Sequence, residues 1–261
     1  MTPVTEFFHP VVRQWFERRF GTPSQAQELG WPAIRAARAG MEGHDVLLCA
    51  PTGSGKTLAA FMWAIDRLVN DADSGQLRDE VSVLYVSPLK ALANDIRRNL
   101  DEPLDGIREV AREMSVAPPA IRAGLRTGDT PTNERSAMLR RPPHILVTTP
   151  ESLFILLTSP KFRSKLASVR YVIVDELHAV AGNKRGAHLA ITLERLDRMI
   201  RLAGGAKPVR IGLSATLNPI ERLGEFLAGF DTSGADLRPR KVTIVRADDV
   251  ARELDLRVIA G

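Results

Sequence analysis

The segment Ala50-Pro51-Thr52-Gly53-Ser54-Gly55-Lys56-Thr57 constrains this chain more than any other stretch of its sequence. It follows directly on a short apolar run at 46–49 and passes at once into a helical pattern at 58–69. Strand, glycine-rich turn and helix in that order let successive backbone N–H groups turn inward around phosphate oxygens. Gly53 and Gly55 put no Cβ in the way, and the helix that starts here aims its positive end at the same place. Lys56 would reach the β- and γ-phosphates of a bound nucleotide, the Thr57 hydroxyl would ligate Mg2+, and Thr52 and Ser54 complete the cradle. The general pattern opens on glycine where this chain has Ala50, so the loop is a variant. The bland alternative is a glycine-rich turn with no ligand, and Gly-Ser-Gly-Lys-Thr in this setting weighs against it.

A second apolar run, 171–174, delivers Asp175-Glu176-Leu177-His178. Four apolar residues bury that strand, so two adjacent carboxylates emerge at its C-terminal end, the edge at which open α/β sheets bind ligands. Mg2+ takes oxygen ligands, and Asp175 would hold it directly or through a water. Glu176 is then placed to orient or deprotonate an attacking water. An isolated Asp-Glu pair is usually a solvated strand end. Joined to the phosphate loop, it makes Lys56, Asp175 and Glu176 the catalytic candidates.

Apolar runs at 46–49, 81–86, 121–125, 145–148, 171–174, 209–213 and 242–245 alternate with segments of helical period. Most are continuous, as in strands covered by helices on both faces. Helices are predicted over 58–69, 89–100 and 187–201; in the last, Leu189, Leu193, Leu196 and Ile200 form one stripe, and Glu194 supports Arg198. The alternation predicts an α/β fold with a mostly parallel, doubly wound sheet. Polar 71–80, proline-punctuated 103–119 and glycine-rich 203–208 read as loops, and 230–240 as a linker. At 261 residues the chain divides into a helical segment at 1–30, a main domain at 31–240, and a last strand with the start of a linker at 241–261. The apolar stretch 256–260 is followed by no closing element, so the chain is expected to be cut from a longer one.

The net charge is +5, with 29 arginines against seven lysines. That excess suits a polyanionic partner, or merely a preference for arginine, and no dense basic block decides between them. No apolar run approaches the roughly 20 residues that span a bilayer. Glu6, Arg13, Glu17 and Arg18 interrupt the N-terminal segment, which is therefore no signal peptide. A single cysteine, Cys49, excludes an internal disulfide framework, reads as a small core residue and suits a cytoplasmic protein. The five histidines and Cys49 show no metal-ligand spacing.

The order of the motifs resembles that of superfamily 2 helicases of the DExH type, most closely the large helicase-related proteins, over roughly residues 20–260. APTGSGKT is similar to motif I, SPLKALANDI (87–96) to motif Ia, TTPESL (148–153) to motif Ib, DELH to motif II and SAT (214–216) to motif III. Thr127-Gly128-Asp129 stands where such proteins carry a strand-contacting glycine. The run DELHAVAGNKRGAHLAITLERL (175–196) singles out the large helicase-related branch. The resemblance implies a RecA-like P-loop NTPase domain, the first of two, with ATP and Mg2+ as cofactors.

Residue by residue it implies further roles. Gln27 would read the adenine edge with Phe20 flanking the base; Gln25 is an alternative, because Ser24 stands where the usual pattern has threonine. Solvated glutamines on an amphipathic helix are the plainer reading. Ser214 and Thr216 would sense the nucleotide through hydrogen bonds toward Asp175 and His178, although Ser214 or Asn218 could equally cap a helix from Pro219. A nucleic-acid backbone would be held by Pro88, Lys90 and Asn94, by Gly128 and Asp129, and by Thr149, Pro150 and Glu151 at a helix N-terminus. Arg185, in the basic turn Asn183-Lys184-Arg185, would touch the strand or a neighbouring domain, unless that turn is simply solvated. The implied partners are single-stranded DNA, RNA or an RNA–DNA hybrid, and a second RecA-like domain with further C-terminal domains; no membrane is involved. The implied activity is ATP-driven 3′-to-5′ translocation with duplex unwinding. A transporter ATPase or small-molecule kinase would carry a signature or lid sequence where TTPESL and TGD stand. A nucleotide- and nucleic-acid-binding module without turnover is the other alternative.

Overall fold

The computed structural model describes residues 3–38, 45–88, 90–215, 219–231 and 236–247, with backbone alone over 90–99. Each of the seven apolar runs holds a strand: β1 (Asp45–Cys49), β2 (Val83–Val86), β3 (Ala123–Arg126), β4 (Ile145–Thr148), β5 (Tyr171–Val174), β6 (Val209–Ser214) and, after the two-residue pair β7 (Phe230–Asp231) and β8 (Arg238–Pro239), β9 (Val242–Arg246). The seven long strands form one sheet in the order β3-β4-β2-β5-β6-β1-β9. Every pairing in it is parallel. Successive strand residues face opposite sides. Val46 and Leu48 therefore enter one core layer and Leu47 and Cys49 the other, the latter thiol being 1% exposed.

The helices are α1 (Pro10–Phe20), α2 (Gln25–Arg38), α3 (Lys56–Asp73), α4 (Lys90–Glu113), α5 (Thr132–Arg140), α6 (Pro150–Thr158), α7 (Pro160–Arg163), α8 (Leu177–Val180), α9 (Lys184–Leu202) and α10 (Ile220–Ala228). Residues of α1 to α4 fill the first layer, and residues of α6, α9 and α10 the second. This is the predicted parallel α/β fold with helices on both faces.

Several sequence expectations are corrected. The stretch 103–119 is helical as far as Glu113, because Leu100, Leu104, Ile107 and Ala111 recur at helical spacing and bury one face. Burial along that stripe outweighs the lost N–H of Pro103 inside the helix. The expected strand at 121–125 starts two residues later, with Ile121 buried as its lead-in. Helix α2 runs across residue 30, and its Trp31 is fully buried and donates Nε1–H to Ala59 O at 3.0 Å. The last strand expected after residue 240 is β9, which pairs with β1 along its length. Residues 248–261, with the apolar stretch 256–260, lie outside the described residues.

Candidate nucleotide-binding and strand-contacting site

The turn between β1 and α3 needs glycine at two points: Gly53 has φ 80° and Gly55 φ 89°, values L side chains rarely adopt. Gly55 is also confined in space. A Cβ there would stand 2.9 Å from Gln27 Nε2 and 3.0 Å from Ser24 Oγ. Ser24 closes the contact from its side: its hydroxyl donates to Ser54 O at 2.7 Å and its N–H to Gln27 Oε1 at 2.9 Å. Gln27, 4% exposed, thus lays its amide against the loop, while Gln25 begins α2 half-buried. Phe20 ends α1, packed on Phe16 at 5.2 Å and 44% exposed.

Lys56 is buried at the first turn of α3, with Nζ donating to Ala50 O at 2.5 Å and Pro51 O at 2.8 Å. Burial lowers its pKa, against the opposing pull of Glu176 and Asp175. Ser54 Oγ is buried with no hydrogen-bond partner. A buried hydroxyl without a partner, in a glycine-rich turn at the start of a helix, fits a phosphate oxygen.

The acidic pair lies at the same edge, with β6 between its strand and β1. Thr57 Oγ1 stands 3.4 Å from Asp175 Oδ2, so the two expected metal ligands converge. Their hydroxyl and carboxylate oxygens suit Mg2+. Asp175 is gripped from two more directions: Glu176 N donates to Oδ1 at 2.8 Å, and the Tyr85 hydroxyl donates to Oδ2. Tyr85 is fully buried and stacked on Phe61 at 4.8 Å. Burial first, then the charge of Asp175, holds its pKa well above that of a free tyrosine. Nothing in Val-Leu-Tyr-Val marks this residue in the sequence, because its partner is fixed by strand register.

Glu176 adopts a left-handed conformation (φ 48°, ψ 43°) that turns the chain from β5 into α8. Its Oε2 lies 3.3 Å from His178 Nε2. His178 Nδ1 in turn faces Ser214 Oγ at 3.3 Å and accepts from Ala215 N at 3.3 Å. Histidine therefore links the acidic pair to the end of β6. Thr216 and Asn218 fall outside the described residues. A cleft of about 320 Å³ opens among Thr52, Gly53, Lys56, Thr57, Asp175 and Glu176.

The expected strand-contacting residues follow the C-terminal ends of β2, β3 and β4, adjacent strands at one side of this edge. Pro88 is buried just past β2; the side chains of Lys90 and Asn94 lie outside the described residues. Gly128 and Asp129 form an exposed turn after β3, where Arg135 donates to Gly128 O at 2.7 Å. Thr149 caps α6, accepting from Ser152 N at 3.4 Å, with Pro150 as the first helical residue. Arg185 joins two of these groups, donating to Glu151 Oε1 at 2.7 Å and to Pro88 O at 2.9 Å. That bond holds the Glu151 carboxyl below its usual range. Asn183 caps α9 by accepting from Gly186 N at 3.2 Å, and Lys184 opens the helix.

A parallel sheet with a phosphate-type loop after one strand and a metal-suited acid pair after another defines the class of P-loop nucleotide-binding domains. The chain belongs to the DEAD/DEAH box helicase family, whose model matches residues 25–223. It is 49% identical over 255 residues to the ATP-dependent helicase Lhr-Core protein 2 of Thermococcus barophilus, covering 98% of this chain and 28% of that relative. It is 53% identical over 222 residues to the Lhr helicase/probable uracil glycosylase of Mycolicibacterium smegmatis, covering 85% of this chain and 14% of the relative. The resemblance to large helicase-related proteins is thus met, and the chain spans between a seventh and about a quarter of these relatives. Its fold superposes with TM-score 0.81 on the Mycobacterium smegmatis helicase Lhr bound to ssDNA and AMP-PNP, at 48% identity, covering 94% of this chain and 28% of that one. Against the DUF1998 helicase MrfA bound to DNA the TM-score is 0.72 at 26% identity, covering 94% and 30%.

Proposed function

We propose that this chain is the first ATP-binding domain of an ATP-dependent helicase that moves 3′ to 5′ along single-stranded DNA and unwinds DNA or RNA–DNA duplexes. The observation that carries the reading is the approach of Thr57 to Asp175 beside a loop whose Ser54 hydroxyl is buried and unpartnered. The amides from Gly53 to Lys56 hold the phosphates, and Lys56 exchanges its bonds to Ala50 and Pro51 for phosphate oxygens. Gln27 holds the adenine edge beside Phe20. Thr57 and Asp175 hold Mg2+, which when bound supplies positive charge to the phosphates being separated. Glu176 orients the attacking water and takes its proton. His178, bridging Glu176 and the end of β6, passes the state of the site to Ser214 and Thr216, and so to a second RecA-like domain.

The strand lies across Pro88, Lys90, Asn94, Gly128, Asp129, Thr149, Pro150 and Glu151, gripped by its backbone. Arg185 fixes the carboxylate of Glu151 and the carbonyl of Pro88, so it shapes this surface as well as adding charge. Among the described residues no helix is long and apolar enough to cross a membrane.

The reading is tested in the longer protein with Glu176→Gln. ATP binding should persist while strand-stimulated hydrolysis falls by at least about 100-fold, the usual worth of a positioned general base. Retained turnover would remove Glu176 from its role. The isolated 261 residues should bind nucleotide and strand weakly and hydrolyse slowly, because arginines from a second domain are needed to stabilise the transferred charge. Strand-stimulated hydrolysis at full helicase rates by this chain alone would contradict that division of labour.

A further inference from the structure

We propose that Tyr85 is a positioning residue for the metal-binding acid, its buried hydroxyl holding Oδ2 of Asp175 turned toward Thr57. The inference rests on the metal–nucleotide reading above and adds to it a residue that touches neither metal nor phosphate. Strand register makes the contact. Tyr85 on β2 is paired with Ile173 on β5, two residues before Asp175. Residues two apart on a strand share a face and stand about 6.6 Å apart, a span that the length of a tyrosine ring covers. Its hydroxyl donates to Asp175 Oδ2, the oxygen that Thr57 approaches at 3.4 Å, while Glu176 N holds Oδ1 at 2.8 Å. A carboxylate oxygen has lone pairs for both a phenol and a cation, so the tyrosine fixes the rotamer without filling the metal position. The ring is locked from the other side by Phe61 of α3, the helix that begins at Lys56. Phosphate loop and acid are therefore spaced through one stacked pair of rings.

The experiment titrates a fluorescent ATP analogue into the 261-residue chain at rising Mg2+ and in EDTA, with thermal midpoints measured alongside. Tyr85→Phe keeps the ring and loses one charge-assisted hydrogen bond. The Mg2+ concentration giving half-maximal tightening should rise roughly tenfold, with affinity in EDTA and thermal midpoint close to wild type. Tyr85→Leu should show the same Mg2+ defect with a lower midpoint. A Mg2+ response unchanged in Tyr85→Phe, and weakened only in Tyr85→Leu, assigns Tyr85 to packing and overturns the inference. Asp175→Ala separates this from the underlying reading. If it abolishes the Mg2+ response while Tyr85→Phe does not, only the tyrosine assignment fails; if Asp175→Ala also leaves the response intact, the metal site itself is wrong.

Discussion

Gly55 meets two demands at once, a φ of 89° and the close approach of Gln27 and Ser24. Gly55→Ala should therefore weaken nucleotide binding by at least about tenfold, since backbone strain there costs on the order of 1–3 kcal/mol and the added methyl displaces Gln27. A fluorescence titration checks this; unchanged affinity would mean that the loop tolerates a different path. His144 makes a prediction about pH. It is buried, Nδ1 accepts from Arg122 N at 3.0 Å, and burial lowers its pKa from 6.5 to about 4. The neutral form is favoured in the fold, so its contribution is whole above pH 6.5 and is lost as pH falls toward 4. Urea unfolding at pH 7 and pH 4.5 should differ by about 2 kcal/mol from this group, and His144→Gln should flatten the dependence. At this scale the sequence is readable where the chemistry is contiguous: Lys56, Thr57, Asp175 and Glu176 lie in two unbroken strings. Tyr85 is illegible because its partner is 90 residues away. That the loop folds against Gln27 is a contact no local pattern in the sequence displays.

Helices announce themselves by the face they bury. The stripe in α9 was plain from Leu189, Leu193, Leu196 and Ile200, whereas α5 buries no residue fully and left no stripe to find. In α4 the proline obscured an equally regular stripe. How α1 docks was hidden for another reason, since it depends on one buried acid: Asp66 of α3, fully buried, accepts from His9 N at 2.6 Å and pairs with Arg67. Burial raises its pKa against the pull of Arg67. Asp66→Ala leaves the start of α1 without its acceptor and should cost about 1–3 kcal/mol. The urea midpoint reports the loss, and proteolysis should begin in 1–20 ahead of the sheet. Cleavage and midpoint unchanged from wild type would show that apolar packing alone holds these helices.

Across the whole molecule, strand order does what local sequence does not display. The chain leaves β1 for β2 and later returns to lay β5 and β6 between them, so the ends of β1, β6 and β5 meet at one edge. Alternating strands and helices implied a parallel sheet, but the order within it is a property of long-range pairing. Arg210 pins this arrangement. It is 1% exposed and bonds Asp197 at 2.6 Å, Glu194 at 2.9 Å and Leu227 O at 2.8 Å, joining β6 to α9 and α10. Arg210→Met leaves Asp197 a buried, unpaired acid and should lower stability by about 3–5 kcal/mol in denaturant unfolding. The proposed function requires the loop at 50–57 and the acid at 175 to act on one Mg–nucleotide. A double-mutant cycle with Lys56→Ala and Asp175→Ala on Mg–ATP affinity tests it most directly. Each single change should weaken binding by at least about tenfold and the pair by much less than the product, a coupling above about 1 kcal/mol. Effects that simply multiply, or Mg–ATP binding indifferent to either change, would contradict a shared site.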